Sequence, residues 1–146
     1  DFSMYKNASL ITPNQLEASL VTNLPCNNNK ETEVCAKSII NKFFIKNVLI
    51  TRGSDGLSYI KKNMNIHQPT KKIEVFDVSG AGDTVLAVLS VCMPNKIPVK
   101  KSLELANKAA GIVVGKIGTS TISLKELFKE DQLLIDKKKT LSELKK

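Results

Sequence analysis

The sequence predicts an α/β fold, and three stretches carry that prediction. Residues 73–78 form a β-rich, half-apolar run that ends in the small residues Ser79-Gly80-Ala81-Gly82, and an apolar segment with helical potential follows at 85–91. That order is strand, Gly-rich turn, helix start. Residues 47–51 (Asn-Val-Leu-Ile-Thr) read as a buried-type strand that enters the turn Arg52-Gly53-Ser54-Asp55-Gly56 and returns through 57–60. A short apolar strand at 8–12 is stopped by Pro13, and a helix follows from Gln15.

Taken in order, residues 1–7 read as an opening without a core of their own. Asn14 is a good N-cap for the helix 15–21, and Glu17 three residues on completes a capping-box pattern. The same pair sits beyond the carboxyl end of a strand, where open α/β sheets bind ligands, so capping and ligand binding both stand as readings. Residues 24–29 are a polar loop. Residues 31–44 have helical period, with Val34, Ile39 and Phe43 among the apolar positions, and are expected to cover the sheet. Gly53 and Gly56 frame a hairpin turn. Residues 61–72 are polar and read as a turn or sheet edge. The helix 85–93 is so apolar that burial is expected, and Pro94 and Asn95 end it. Pro98 opens the next helix, 99–116, with Leu103, Ala106, Ala109, Ala110 and Val113 as its packing face. Ser123 can cap a short helix at 124–128. Residues 129–146 are charged, with sparse apolar positions, and read as a helical tail or linker after a unit spanning 1–128.

The junction at 78–84 is where chemistry is expected. Amides at a helix start are unpaired and lie at the positive end of the helix dipole, a natural anion site. Gly80 and Gly82 let the backbone approach a bound anion. Asp83 sits just inside this site, where a carboxylate repels phosphate. One reading is a base that takes a proton from a hydroxyl attacking a phosphoryl group. The other is an acid that merely complements the dipole.

The segment Asp77-Val78-Ser79-Gly80-Ala81-Gly82-Asp83-Thr84 resembles the signature of the ribokinase-like (PfkB-type) carbohydrate kinases. It is neither the dinucleotide fingerprint nor a P-loop. Thr12-Pro13-Asn14-x-x-Glu17 is similar to the Asn-x-x-Glu motif of the same kinases, and the run Ala106 to Thr119 resembles the heptose 7-phosphate kinase branch of lipopolysaccharide core assembly. The resemblance covers almost the whole chain but only part of such a domain. It implies the carboxy-terminal, nucleotide-binding half of a three-layer α/β/α sandwich, with a mostly parallel sheet and a β-hairpin. The implied reaction is transfer of the γ-phosphoryl of ATP to C1 of a phosphorylated heptose. On this resemblance Asp83 is the base, and the amides of Gly80, Ala81, Gly82 and Asp83 hold the transferring phosphoryl. Thr51, Gly53 and Gly56 line the phosphates, with Asn14 nearby. Asn107, Gly118 and Thr119 border the adenine. Glu17 is tied to Mg2+, largely through water, and Asp77 and Ser79 are expected to help hold a monovalent cation such as K+. Ser79 departs from the commoner Thr but keeps the hydroxyl. The resemblance also implies a homodimer built by lid strands of an amino-terminal half, and in bifunctional members an adenylyltransferase domain that follows.

Composition bounds the alternatives. A chain of 146 residues that is 42% hydrophobic can bury a core. No apolar run approaches the ~18 residues of a membrane span, and no secretory signal is visible. Cys26, Cys35 and Cys92 lack metal-type spacing, which suggests packed thiols in a reducing, cytoplasmic setting. His67 is the only histidine, so zinc or His-based catalysis has little support. The net charge of +8 could serve a nucleic acid or a membrane surface, but the excess is lysine with few interleaved aromatics and no reader motif. A solvated lysine-rich surface is the expectation.

Overall fold

The computed structural model describes residues 1–70 and 75–129. The charged tail expected from 129 lies, but for its first residue, outside the described residues, as do the first two residues of the strand expected at 73–78.

The described chain is a three-layer arrangement built on one hairpin sheet. Helix α1 (Gln15–Thr22) and helix α2 (Asn29–Phe43) precede strands β1 (Asn47–Thr51), β2 (Leu57–Lys61) and β3 (Met64–Gln68). Helices α3 (Ala81–Cys92) and α4 (Val99–Val114) follow. Strand order is β1-β2-β3, antiparallel throughout, with Thr51 opposite Leu57 and Ser58 opposite His67.

Strand alternation sends side chains to two cores. Val48, Ile50 and Ile60 pack with Ala36, Ile39 and Phe43 of α2 on one face. Leu49, Leu57 and Tyr59 pack with Val85, Leu89, Leu103 and Ala106 of α3 and α4 on the other. Leu49, Ile50 and Ile60 are wholly buried, and each such side chain contributes about 2 kcal/mol of transfer free energy. The sheet is therefore sandwiched, and its β1–β2 turn is held from both sides.

Several expectations change. Residues 8–14 run parallel to β1, donating and accepting at Ile11 and offering Pro13 O to Thr51 N, yet they pair only at isolated positions, Ile11 with Val48 and Asn14 with Thr51. Pro13 has no N–H to continue a ladder. This is the parallel component of a sheet expected to be mostly parallel. The expected turn or edge at 61–72 contains a true edge strand, β3. Residues 75–78 are not a strand: the amides of Phe76 and Asp77 both reach Val114 O, and Val75, Phe76 and Val78 are exposed. Helix α2 starts two residues earlier than expected because Asn28 caps it, its side chain accepting Glu31 N at 3.0 Å. Helix α3 starts at Ala81, with Gly80 as N-cap in the left-handed region (φ 78°). It is not buried all round: Val85, Leu89 and Cys92 face the core, whereas Leu86 and Val91 are exposed. Phe2 of the opening segment packs on Phe43, with ring centroids 5.9 Å apart.

Candidate active site

The start of α3 supplies donors with no acceptor among the described residues. Ala81 N donates to Val78 O at 3.2 Å, so that amide is engaged in a turn. Thr84 N and Thr84 Oγ1 both donate to Gly80 O, at 2.9 and 2.8 Å, which closes the first helical turn. The amides of Gly80, Gly82 and Asp83 take no acceptor among the described residues. Three of the four amides expected to cradle an anion thus remain available. The Asp83 side chain is exposed and makes no hydrogen bond or ion pair among the described residues.

Gly82 is informative because the fold does not require it. Its backbone is helical, and a Cβ added there would meet nothing within 4 Å. In such a place alanine would ordinarily be more stable by roughly 0.5–1 kcal/mol. The open space above Gly82 therefore calls for an explanation outside the fold, and close approach of a ligand supplies one. We expect Gly82→Val to leave the melting temperature within a few degrees while raising the KM for ATP at least tenfold. An unchanged KM would refute the anion-site assignment.

The 77–80 turn and the 118–119 turn lie against each other. Asp77 Oδ1 accepts Ser79 N at 2.8 Å. Its carboxyl is held below the usual range by the Ser79 amide first, then by the Ser79 hydroxyl, with the Gly118 amide adding to them. Gly80 faces Thr119, whose Cγ2 would lie 3.6 Å from a Cβ added to Gly80. Asp77, Ser79, Gly80, Gly118 and Thr119 are thus one local group. The loop after α4 is tied down by Lys116, whose Nζ lies 2.7 Å from Glu126 Oε1 and donates to Thr121 O at 2.8 Å. Ser123 and Glu126 form a reciprocal cap for the helical residues that follow, as the sequence suggests.

The Glu126 carboxyl is pushed down to about 2, first by the Lys116 ammonium and then by the Ser123 amide and hydroxyl. A depressed carboxyl stabilises the fold above its ordinary value of 4.5 and loses that contribution as pH falls toward about 2. The wild-type advantage in melting temperature over Glu126→Gln should therefore be full above 4.5 and fade across that interval. Parallel melts that keep a constant gap would contradict it.

A second group forms at the carboxyl end of β1. Asn14 and Glu17 make the full capping box: Asn14 Oδ1 accepts Glu17 N and Glu17 Oε2 accepts Asn14 N, both at 2.8 Å. The bridge between Asn14 and Thr51 brings this box beside the hairpin turn. In the turn, Arg52 N donates to Gly56 O at 2.8 Å and Gly56 N to Gly53 O at 3.1 Å. The amides of Gly53 and Ser54 take no acceptor among the described residues. Gly56 has φ 89°, and a Cβ there would fall onto Gln68 O and lie 2.8 Å from Thr70 N. Its glycine is demanded by the passage of 68–70 over the turn. Both polar ends of Asn107 are used: Oδ1 accepts Thr70 Oγ1 at 2.8 Å and Nδ2 donates to Pro69 O at 2.9 Å. Asn107 therefore fixes the exit of β3, and one Nδ2 hydrogen and one Oδ1 lone pair remain for a ligand.

Among the described residues no group of three or more His, Cys, Asp or Glu gathers as a metal site. Mg2+ bound through phosphates needs only one or two carboxylates. Glu17, with one oxygen left outside the capping box, fits that requirement. Arg52 is 7% exposed and turns into the α2 side of the hairpin. There an open cavity of about 640 Å³ is bordered by Asn29, Arg52 and Asp55. None of residues 80–84 lines it, so this cavity is not the site above. The sequence reading assigned no role to Ser54, Arg52, Ser58, His67 or Glu33. The register that sets Ser58 opposite His67 was the available signal.

The order of elements and the three layers make an α/β unit in which one helix N-terminus carries amides and an acid that take no partner among the described residues. The chain belongs to the pfkB family of carbohydrate kinases, which it matches over residues 3–126. Among curated relatives, a bifunctional protein HldE of Aliivibrio fischeri is 44% identical over 130 residues, covering 87% of this chain and 27% of the relative. One from Campylobacter concisus is 41% identical over 134 residues, covering 92% and 28%. The chain thus spans about a quarter of the length of the curated relatives it matches. Arabidopsis thaliana ribokinase, solved with ribose and ATP, superposes with a TM-score of 0.76 at 27% identity, over 83% of this chain and 40% of that one. Escherichia coli phosphofructokinase-2, solved with potassium, superposes at 0.77 and 20% identity over 87% and 41%, a likeness of fold. No helix among the described residues is long and apolar enough to cross a membrane.

Proposed function

We propose that the protein containing this chain is an ATP-dependent kinase that phosphorylates D-glycero-D-manno-heptose 7-phosphate at C1, giving the 1,7-bisphosphate for ADP-heptose and lipopolysaccharide core synthesis. The observation that supports this most is the start of α3, where the amides of Gly80, Gly82 and Asp83 and the exposed Asp83 carboxylate take no partner among the described residues. The heptose assignment rests on the similarity to the HldE proteins.

In this reading the Asp83 carboxylate takes the proton of the C1 hydroxyl. The freed oxygen attacks the γ-phosphorus of ATP, the bond from phosphorus to the β–γ bridging oxygen breaks, and ADP leaves. The amides of Gly80, Gly82 and Asp83 stabilise charge on the transferring phosphoryl, each such preorganised donor being worth on the order of 3 kcal/mol. Ala81 contributes spacing, since its amide is engaged. Thr51, Gly53 and Gly56, with Asn14, line the phosphates; Asn107, Gly118 and Thr119 border the adenine. Glu17 would orient Mg2+, which neutralises phosphate charge when bound. Asp77 and Ser79 would hold a monovalent cation such as K+, for which the ionised Asp77 carboxylate supplies charge. The intact protein is taken as a cytoplasmic homodimer with an amino-terminal sugar-binding half and, as in the bifunctional relatives, a further adenylyltransferase domain; nucleic acid and membrane are not partners in this reading.

The test is ADP release by the complete gene product with ATP, Mg2+ and the heptose 7-phosphate, run beside ribose and fructose 6-phosphate. Selective turnover of the heptose is expected. Turnover of ribose or fructose 6-phosphate instead would reassign the substrate within the family, and nucleotide binding without any turnover would favour a non-catalytic module.

A further inference from the structure

We propose that Arg52 is a positioning residue for phosphate binding, locked in place by a side-chain relay through Ser58, His67 and Glu33 that anchors the 53–56 turn to helix α2. The proposal rests on the reading of residues 51–56 as the phosphate-lining segment.

The turn itself is closed by backbone bonds, so nothing in hairpin geometry asks for a buried cation at 52. Burying a guanidinium costs several kcal/mol unless it is well partnered. Yet the Arg52 side chain is 5% exposed, and among the described residues its Nε has no partner and its paired carboxylate, Asp55 at 3.6 Å, is itself more than half exposed. What Arg52 does reach is polar and structural. Nη1 donates to Asn29 Oδ1 at the start of α2 and, at 3.2 Å, to Ser58 Oγ.

From Ser58 the chain of bonds continues. Ser58 Oγ is 2.9 Å from His67 Nδ1, its cross-strand partner, and His67 Nε2 is 2.9 Å from Glu33 Oε1 on α2. Glu33 Oε2 accepts Asn65 Nδ2 at 2.6 Å and lies 3.8 Å from Lys37 Nζ. One assignment of protons makes every bond of the relay consistent. Glu33 accepts from His67 Nε2–H, His67 Nδ1 accepts the Ser58 hydroxyl, and Ser58 Oγ accepts from Arg52. The polarity runs in one direction from guanidinium to carboxylate, so each bond reinforces the next. Ser58 is wholly buried, which removes any reading of this Ser-His-Glu series as a nucleophile and its base.

The relay thus holds residue 52 from α2 and β3 while the amides of Gly53 and Ser54, the next two residues, take no acceptor among the described residues. Fixed donors bind phosphate without reorganisation. Loosening them should weaken ATP equally in ground and transition states, which raises KM and leaves kcat in place.

The experiment uses the complete gene product with His67→Phe, a change on an edge strand, and Arg52→Met. Expected results are a KM for ATP raised about fivefold by His67→Phe and tenfold or more by Arg52→Met. The acceptor KM and kcat should stay within about twofold, and amide hydrogen exchange at 53–56 should be faster. Glu33→Gln, which keeps an acceptor, should stay near wild type. Should Arg52→Met fail to fold, His67→Phe and Glu33→Gln decide the matter. Unchanged exchange, or faster exchange with an unchanged KM for ATP, would overturn the proposal. A wild-type protein that binds no Mg-ADP would overturn the phosphate reading beneath it instead.

Discussion

Asp83→Asn is expected to lower turnover of the complete gene product at least a hundredfold while leaving ATP affinity within a few-fold of wild type. Asn matches Asp in shape but cannot take a proton, and positioned proton transfer contributes about 10²- to 10⁴-fold. The side chain is exposed and has no partner among the described residues, so the substitution breaks no described contact. What the fold loses is an acid in the first turn of α3, worth at most about 1 kcal/mol against the helix dipole. Removing a negative charge beside phosphate should, if anything, help ATP bind. The measurement is kcat and KM for both substrates together with a melting curve. Near-normal kcat with a small loss of stability would mean that Asp83 is only a dipole acid.

Gly56→Ala is expected to cost about 4 kcal/mol or more, a loss reserved for severe local conflict. The added Cβ would sit on Gln68 O and within 2.8 Å of Thr70 N, all of it backbone that cannot swing away, and φ is 89°. Gly53→Ala provides the control. Its φ of 55° is left-handed, but a Cβ there meets nothing within 4 Å, so the cost should be only about 1–2 kcal/mol. Urea unfolding of the two variants beside wild type decides the point. Equal losses would mean that the 68–70 segment yields, and that Gly56 is not held by packing. The contrast also separates two kinds of glycine in this chain. Gly56 is required by the fold whatever its functional role; Gly82 is not required by it.

The parts legible in the sequence were those set by neighbours a few residues apart. The capping boxes Asn14/Glu17 and Ser123/Glu126 form because their partners lie one helical turn away. The β1–β2 hairpin forms because its apolar strands and glycine turn are contiguous. The motif at 77–84 falls at a helix start with Asp83 in the first turn, and of its four expected amides Ala81's is engaged. The less legible parts depend on distant partners. Strand β3 is polar and partly exposed, so its hydrophobic pattern is weak. Residues 75–78 look like a strand, but no described strand flanks them, and their amides turn to Val114 O instead. Asn107 is held by Pro69 and Thr70, 38 and 37 residues away.

By itself the sequence determined the family signature and the caps at Asn14 and Ser123, since each is written in local spacing. Only the tertiary structure decided that Ala81's amide is engaged while its neighbours' are not, that Gly56 is a packing glycine, and that Arg52 is drawn inward toward Ser58, His67 and Glu33. Those outcomes depend on which backbone atoms approach across the sheet and its covering helices, and that is settled when the two cores close on either face of the hairpin.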